Sequence, residues 1–249
     1  MALTWHRRPL LGADLETTST DVETARIVSA AVVRYGGGRE TETWPWVSNL
    51  TDPDGTVTPI PAEATAVHGW TTEAARASGR PAAEVVDEIL ATIAAGVNSG
   101  WPLVAMNAPF DLTILDREAR RFGLPTLWER CEPCVIDPRV LDKRVDRYRR
   151  GGRTLEDLCK HYVVDLDGAH DPAADAKAAC AVAWKIANRH RWLARRTPGE
   201  LHAEQVGWAL TQQEDLREHF ATTPGKEHLA HDFRIGWPLI PAPRQAAER

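Results

Sequence analysis

Apolar residues fall in short runs over the first fifth of the chain and at helical intervals after it. Residues 9–15 (PLLGADL) form a mostly apolar run that ends in charge, as a buried strand does. Residues 26–35 (RIVSAAVVRY) are rich in β-branched and small apolar side chains and predict a second strand. Gly36-Gly37-Gly38 supplies a turn and residues 40–47 alternate as a third strand, so the three predict an antiparallel meander. Residues 49–61, with their Pro, Asp and Gly, predict a loop. Short helices are expected over 61–67 and after a Thr71 or Thr72 cap. Residues 81–95 set Val85, Val86, Ile89, Leu90 and Ile93 on one helical face behind Pro81.

Strand and helix then alternate. Residues 102–106 predict a short buried strand running into Asn107-Ala108-Pro109-Phe110-Asp111, then a helix to about Phe122 that Gly123 stops. A brief strand is expected at 134–136 and a helix over 138–148, broken by Gly151-Gly152. Thr154 opens a helix with an acid, Asp157, three residues on, a partial capping box. Asp171-Pro172 reads as cap and first residue of an Ala-rich helix to about Trp192. Beyond Arg195, residues 200–210 and 211–220 predict two helices. The Pro-rich remainder keeps Phe233, Ile235, Trp237, Leu239 and Ile240 to pack on the domain or on a partner. The expectation is an α/β fold, a mixed sheet of antiparallel meander plus parallel strands flanked by helices. It divides the chain into a domain over 1–195 and an extension over 196–249.

Hydrophobic residues make up 43% of the 249 and charged residues 26%, which fits a soluble globular protein with a substantial core. No apolar run nears the roughly 20 residues of a bilayer span, and residues 1–8 lead into no signal-peptide-length apolar segment. With cysteines in no disulfide-like framework, this predicts a cytoplasmic protein without membrane association. Cys131-Glu132-Pro133-Cys134 lacks the second half of a zinc site and reads as two reduced thiols beside a strand.

A net charge of −5 speaks against a polyanionic partner, but its distribution does not. Arg139, Lys143, Arg144, Arg147, Arg149, Arg150 and Arg153 are opposed locally only by Asp142 and Asp146. This segment fits either a phosphate-binding footprint or a solvated helix face laced with Asp–Arg pairs.

The candidate chemistry sits at element ends. Asp14 and Glu16, two apart in a strand, point the same way. Such a pair fits two solvated acids, or a site where a cation lets both ionise. Asp111 follows the fourth strand at the start of a helix. Asp175 lies in the first turns of the Ala-rich helix, with His170 in the loop five residues before it. Singly, Asp111 and Asp175 fit helix-dipole partners and His170 a surface residue. Together, four carboxylates and an imidazole suit hard divalent cations, which prefer oxygen ligands.

Asp14-x-Glu16-Thr17-Thr18, Asn107-Ala-x-Phe110-Asp111 and His170-x-x-x-x-Asp175-Ala176 resemble, in order and spacing, the three motifs of the DEDDh 3′–5′ exonucleases. This DnaQ-like family includes the proofreading epsilon subunit, RNase T and oligoribonuclease. Val67-His68-Gly69 and Thr154-Leu155-x-x-Leu158-Cys159 resemble two further family segments, and the likeness spans about residues 9–194. Trp70 departs from it, standing where an aliphatic residue is usual.

The resemblance implies an RNase H-like five-stranded sheet and two-metal-ion hydrolysis of phosphodiester bonds from the 3′ end, releasing nucleoside monophosphates. It implies two Mg2+ ions, replaceable by Mn2+, with Asp14, Glu16 and Asp175 on the first and Asp14 bridging to the second on the Asp111 side. His170 would be the general base, a task suited to an imidazole. By the same resemblance Leu15, Thr17, His68 and Phe110 would border the terminal nucleotide, a packing role fitting Phe110 and His68 equally well, and Arg147, Arg149 and Arg150 are expected on the substrate backbone.

The expected substrate is single-stranded DNA, in proofreading or end-trimming. The alternatives are an RNA-trimming exoribonuclease and a non-catalytic nucleic-acid-binding or polymerase-accessory module. Gln213-Glu214-Asp215-Leu216 with His219-Phe220 faintly resembles a sliding-clamp peptide, which makes a DNA polymerase or clamp a candidate partner. All five proposed catalytic groups precede residue 196, so the extension is expected to be dispensable for chemistry.

Overall fold

The computed structural model describes residues 3–231 and 233–243. Strands β1 (Pro9–Thr17), β2 (Ile27–Gly36) and β3 (Glu42–Val47) form the expected meander. Helices α1 (Ala62–His68), α2 (Thr72–Ser78) and α3 (Ala82–Asn98) follow. Next come β4 (Leu103–Val104), α4 (Ala108–Arg121), α5 (Leu127–Arg130), β5 (Val135–Ile136) and α6 (Pro138–Val145). The chain continues through α7 (Leu155–Tyr162), α8 (Pro172–Arg189), α9 (Arg191–Ala194), α10 (Pro198–Thr222) and α11 (Glu227–His231).

The strands lie in the order β3-β2-β1-β4-β5, antiparallel from β3 to β1 and parallel from β1 to β5. This is the mixed, helix-flanked sheet of the RNase H-like class. One core lies between the sheet and α3, α4 and α5, built on Leu11, Ala13, Ile27, Ile89 and Leu112. A second lies between the other face and α7 and α8, built on Leu10, Val33, Val104, Leu158 and Ile186. No helix among the described residues is long and apolar enough to cross a membrane.

The structure corrects several expected elements. The helices expected over 200–210 and 211–220 are one, α10, capped by a Thr197–Glu200 box with Pro198 in its first turn. No Gly or Pro stands at the expected break, so nothing ends the helix there. Helix α5 was not expected: four residues are too few for a period, although Thr126 and Glu129 make a full capping box. Helix α6 stops at Val145 rather than near 148, and α8 at Arg189 rather than near Trp192.

Helix α10 is packed into the sheet domain. Leu201, Gln205 and Ala209 are buried on it, and Trp237 of the tail joins the core beside Ala209. The Ile240 N–H donates to Thr113 Oγ1 at 2.8 Å. Residues 244–249 of the extension lie outside the described residues.

Candidate active site

Strand alternation sorts β1 by face. Leu11, Ala13 and Leu15 enter the core under α3 and α4, which turns Leu10, Gly12, Asp14 and Glu16 toward α8. The β1–β2 register shifts between Glu16 and Thr17, so the ladder is disturbed where the acidic pair ends. Gly12 lets α8 lie directly on the strand, which brings the first turn of α8 to the two carboxylates.

That turn is fixed locally. Asp171 Oδ1 accepts from the N–H groups of Ala173 and Ala174 at 2.9 and 3.0 Å, satisfying donors at the helix start. Asp175 Oδ2 accepts from the His170 N–H at 3.2 Å, while Asp175 Oδ1 is buried with no hydrogen-bond partner. His170 sits at φ 66°, a left-handed conformation unfavourable for a non-glycine residue, and its side chain is exposed. Glu16, His170 and Asp175 each offer a donor atom, and the three lie within 4.8 Å of one another. Asp14 and Asp111 stand outside that cluster but feel its charges, Asp14 those of Asp175 and Glu16 and Asp111 that of Glu16.

Asp111, 5% exposed in the first turn of α4, accepts the Leu15 N–H on Oδ1 at 3.1 Å. The turn before it is left-handed at Asn107, φ 57°. Asp137 holds this turn: its carboxylate accepts from the N–H groups of Asn107, Ala108 and Arg139 at 3.2, 3.0 and 2.9 Å. Gln205 of α10 holds Asp137 in turn. It accepts the Asp137 N–H at 2.9 Å and donates to the Val135 carbonyl at 3.0 Å. Neither residue was anticipated. Asp137-Pro138 repeats the cap-and-proline signature of Asp171-Pro172 and was findable, whereas Gln205 carries no signal in its own helix.

Electrostatics set the site apart. Burial, then repulsion from Asp111, Asp175 and Glu16, holds Asp14 well above the usual carboxylate range. Burial and the charges of Asp175 and Asp171 raise Glu16 to about 7. Burial lifts Asp111 to about 8 despite the hydrogen bonds that favour its anion. Asp175 is raised too, again mainly by burial. Four carboxylates that resist ionising together, with one buried oxygen lacking any donor, form a donor set that fits hard divalent cations.

The remaining predicted residues divide. His68 closes α1, accepts the Trp70 N–H on Nδ1 at 3.1 Å and leaves Nε2 buried without a partner. Burial lowers its pKa, and the charge of His170 adds to the effect. Leu15 and Phe110 pack into the core flanking Asp14 and Asp111. The Thr17 hydroxyl donates to the Ser19 carbonyl at 2.8 Å.

The basic segment is partly structural. Arg149 and Arg153 both pair with the buried Asp142, at 2.9 and 2.8 Å. Arg147 pairs with Asp215 at 2.8 Å, and Arg150 is exposed. The clamp-like segment is helical, and the Gln213 amide bonds both N–H and carbonyl of Gly236.

The chain matches the model of a family described as RNase_T, exonuclease, over residues 11–183. Among solved structures it is similar to a moderately thermophilic exonuclease I from Methylocaldum szegediense, with a TM-score of 0.61 at 19% identity over 87% of this chain and 46% of that one. A zinc-bound E. coli exonuclease I–single-stranded DNA complex aligns with a TM-score of 0.56 at 20% identity, over 75% of this chain and 43% of that one. E. coli exonuclease I with a dT13 oligonucleotide gives 0.54 at 19% identity, over 75% and 42%. At these identities the likeness is one of fold, and the chain spans less than half the length of those proteins. No curated protein matches it in sequence.

Proposed function

This chain belongs to the exonuclease family whose model covers residues 11–183, and on that premise we propose that it is a divalent-cation-dependent 3′–5′ exonuclease acting on single-stranded DNA. One observation carries the proposal. Asp14 and Glu16 of β1, Asp111 of α4, Asp175 of α8 and the loop residue His170 converge, and the acids resist shared ionisation. A module that only bound nucleic acid would have no use for acids held in that state.

Asp14, Glu16 and Asp175 would hold one Mg2+, and Asp14 with Asp111 a second. Mn2+, which also suits carboxylate oxygens, would substitute. When bound, such ions neutralise charge on the scissile phosphate and acidify the attacking water. A ring nitrogen of the exposed His170 accepts the proton of that water. The Asp111–Leu15 hydrogen bond keeps β1 and α4 in register across the site. Phe110 and His68 border the terminal nucleotide, Phe110 with an aromatic face that tolerates any base. The single-stranded DNA complexes of the E. coli exonuclease I fold relative favour DNA as the substrate class.

Digestion of 5′-labelled single-stranded DNA, RNA of the same sequence and a mismatched primer–template, each in Mg2+ and in EDTA, tests this. The expected result is a ladder shortening from the 3′ end of DNA in Mg2+ alone. Faster digestion of RNA would make the protein an exoribonuclease. Binding without cleavage would make it an accessory module.

A further inference from the structure

The extension after residue 195 supplies none of the catalytic groups, yet it builds one wall of a groove of about 760 Å³ that reaches Phe110 and Asn107, beside Asp111. Gln212, Leu216 and Phe233 line that wall; Arg139 and Lys143 of α6 and the loop over 151–153 line the other. We infer that this groove is the track for the single strand 5′ of the scissile bond, with Arg139 and Lys143 on its phosphates and Tyr148 stacking a base where the strand leaves. The inference rests on the exonuclease reading above and adds to it the use of the extension.

Charge in the groove is unbalanced toward cations. Its Asp137 carboxylate is buried and taken by three backbone N–H groups. Asp21 is spent on its own turn, accepting from the Glu23 N–H and the Thr24 hydroxyl at 3.1 and 2.8 Å. The Arg139 Nη1 donates to the Asn107 side chain at 2.8 Å, which ties a cation directly to the turn that carries Asp111. Burial and the charges of Arg153, Arg139 and Arg147 hold the Lys143 ammonium below its ordinary value, with Asp215 opposing them. An incoming phosphate relieves that crowding.

Tyr148 lies three residues before Gly151 in the loop that reaches the groove. It is 86% exposed, with the Arg147 guanidinium 5.7 Å from its ring centroid. A phenol ring held out beside a cation is a stacking platform for a base. Arg149 and Arg153, by contrast, are committed to Asp142 and contribute rigidity to the same loop.

Fluorescence anisotropy of a labelled dT oligonucleotide on the full-length protein in EDTA, over a range of salt, separates these roles. Each cation on a phosphate adds to the slope of log K against log salt, by about 0.7 on a single strand. Lys143→Gln and Arg139→Gln are each expected to reduce that slope by about this amount. Tyr148→Ala is expected to weaken binding by roughly 5- to 100-fold with the slope unchanged, since stacking releases no counterion. Circular dichroism establishes that each variant is folded, and either cation variant alone suffices for the slope. Wild-type protein that digests DNA while both cation variants keep its salt slope overturns the groove and leaves the nuclease. Wild-type protein that neither binds nor digests overturns both.

Discussion

A Cβ on Gly12 would lie 2.6 Å from the Ala176 carbonyl oxygen and 2.8 Å from Cys180 Sγ. The missing side chain of a β1 residue is therefore what seats α8 on the sheet and places Asp175 against Asp14 and Glu16. Backbone carbonyl cannot move aside as a flexible side chain can. Gly12→Ala should displace the helix, lowering stability by about 1–3 kcal/mol, the usual scale of overpacking. Nuclease activity should fall further than the loss of folded protein explains. Urea denaturation alongside specific activity checks this; full activity at an unchanged midpoint would mean that α8 can lie elsewhere.

The acids make the metal-free protein sensitive to alkali. Glu16 at about 7 and Asp111 at about 8 bind protons in the folded state that the unfolded chain releases near pH 4. Their stabilising contribution is full below about pH 4 and is lost as pH rises through about 7 to 8. In EDTA, the urea midpoint is expected to be lower at pH 8.5 than at pH 5.5. Saturating Mg2+, which binds the folded state with its acids ionised, should narrow or reverse the difference. Equal midpoints in EDTA at both pH values would show that the carboxylates ionise freely.

His170→Ala should leave oligonucleotide binding intact and slow hydrolysis by something like 10²–10⁴-fold, the scale of a lost general base. Single-turnover rates at saturating Mg2+ with a parallel binding titration separate the two effects. A near wild-type rate would remove His170 from the chemistry.

Gln205→Ala should destabilise the protein by about 1–3 kcal/mol, because it leaves the buried Asp137 N–H and Val135 carbonyl unpaired. Activity should also fall, since Asp137 shapes the turn that presents Asp111. The same hydrogen bonds imply that a chain ending at Arg195 loses stability even though every proposed catalytic group precedes that residue. Thermal unfolding of both proteins measures the effect; midpoints equal to wild type would show that the extension is only appended.

What could be read from the sequence was local. The alternation of β1, the cap-and-proline start of α8 and the motif order place Asp14, Glu16, His170 and Asp175 without any knowledge of packing. What could not be read was long-range. Gln205 meets Val135 and Asp137 some 70 residues away, and no period or cap in α10 announces it. The basic segment left two readings open for the same reason. Arg149 and Arg153 look like free cations in sequence, but the fold turns them onto one buried carboxylate, Asp142. Read from the sequence, α10 divides in two because its apolar face is weakly marked; its continuity comes from what it covers.

The Asp14 carboxylate is expected to be indispensable to a cation-dependent 3′ attack and not to the fold. Asp14→Asn puts a permanently neutral group where burial and the neighbouring acids already disfavour the carboxylate anion, so its thermal midpoint in EDTA should equal or exceed that of wild type. Digestion of a 5′-labelled single-stranded oligonucleotide in saturating Mg2+, wild type beside Asp14→Asn, is the direct measurement. Wild type is expected to shorten the strand progressively from the 3′ end and the folded variant not at all. A folded Asp14→Asn protein that still produced the ladder, or a wild type that released the 5′ label first, would contradict it.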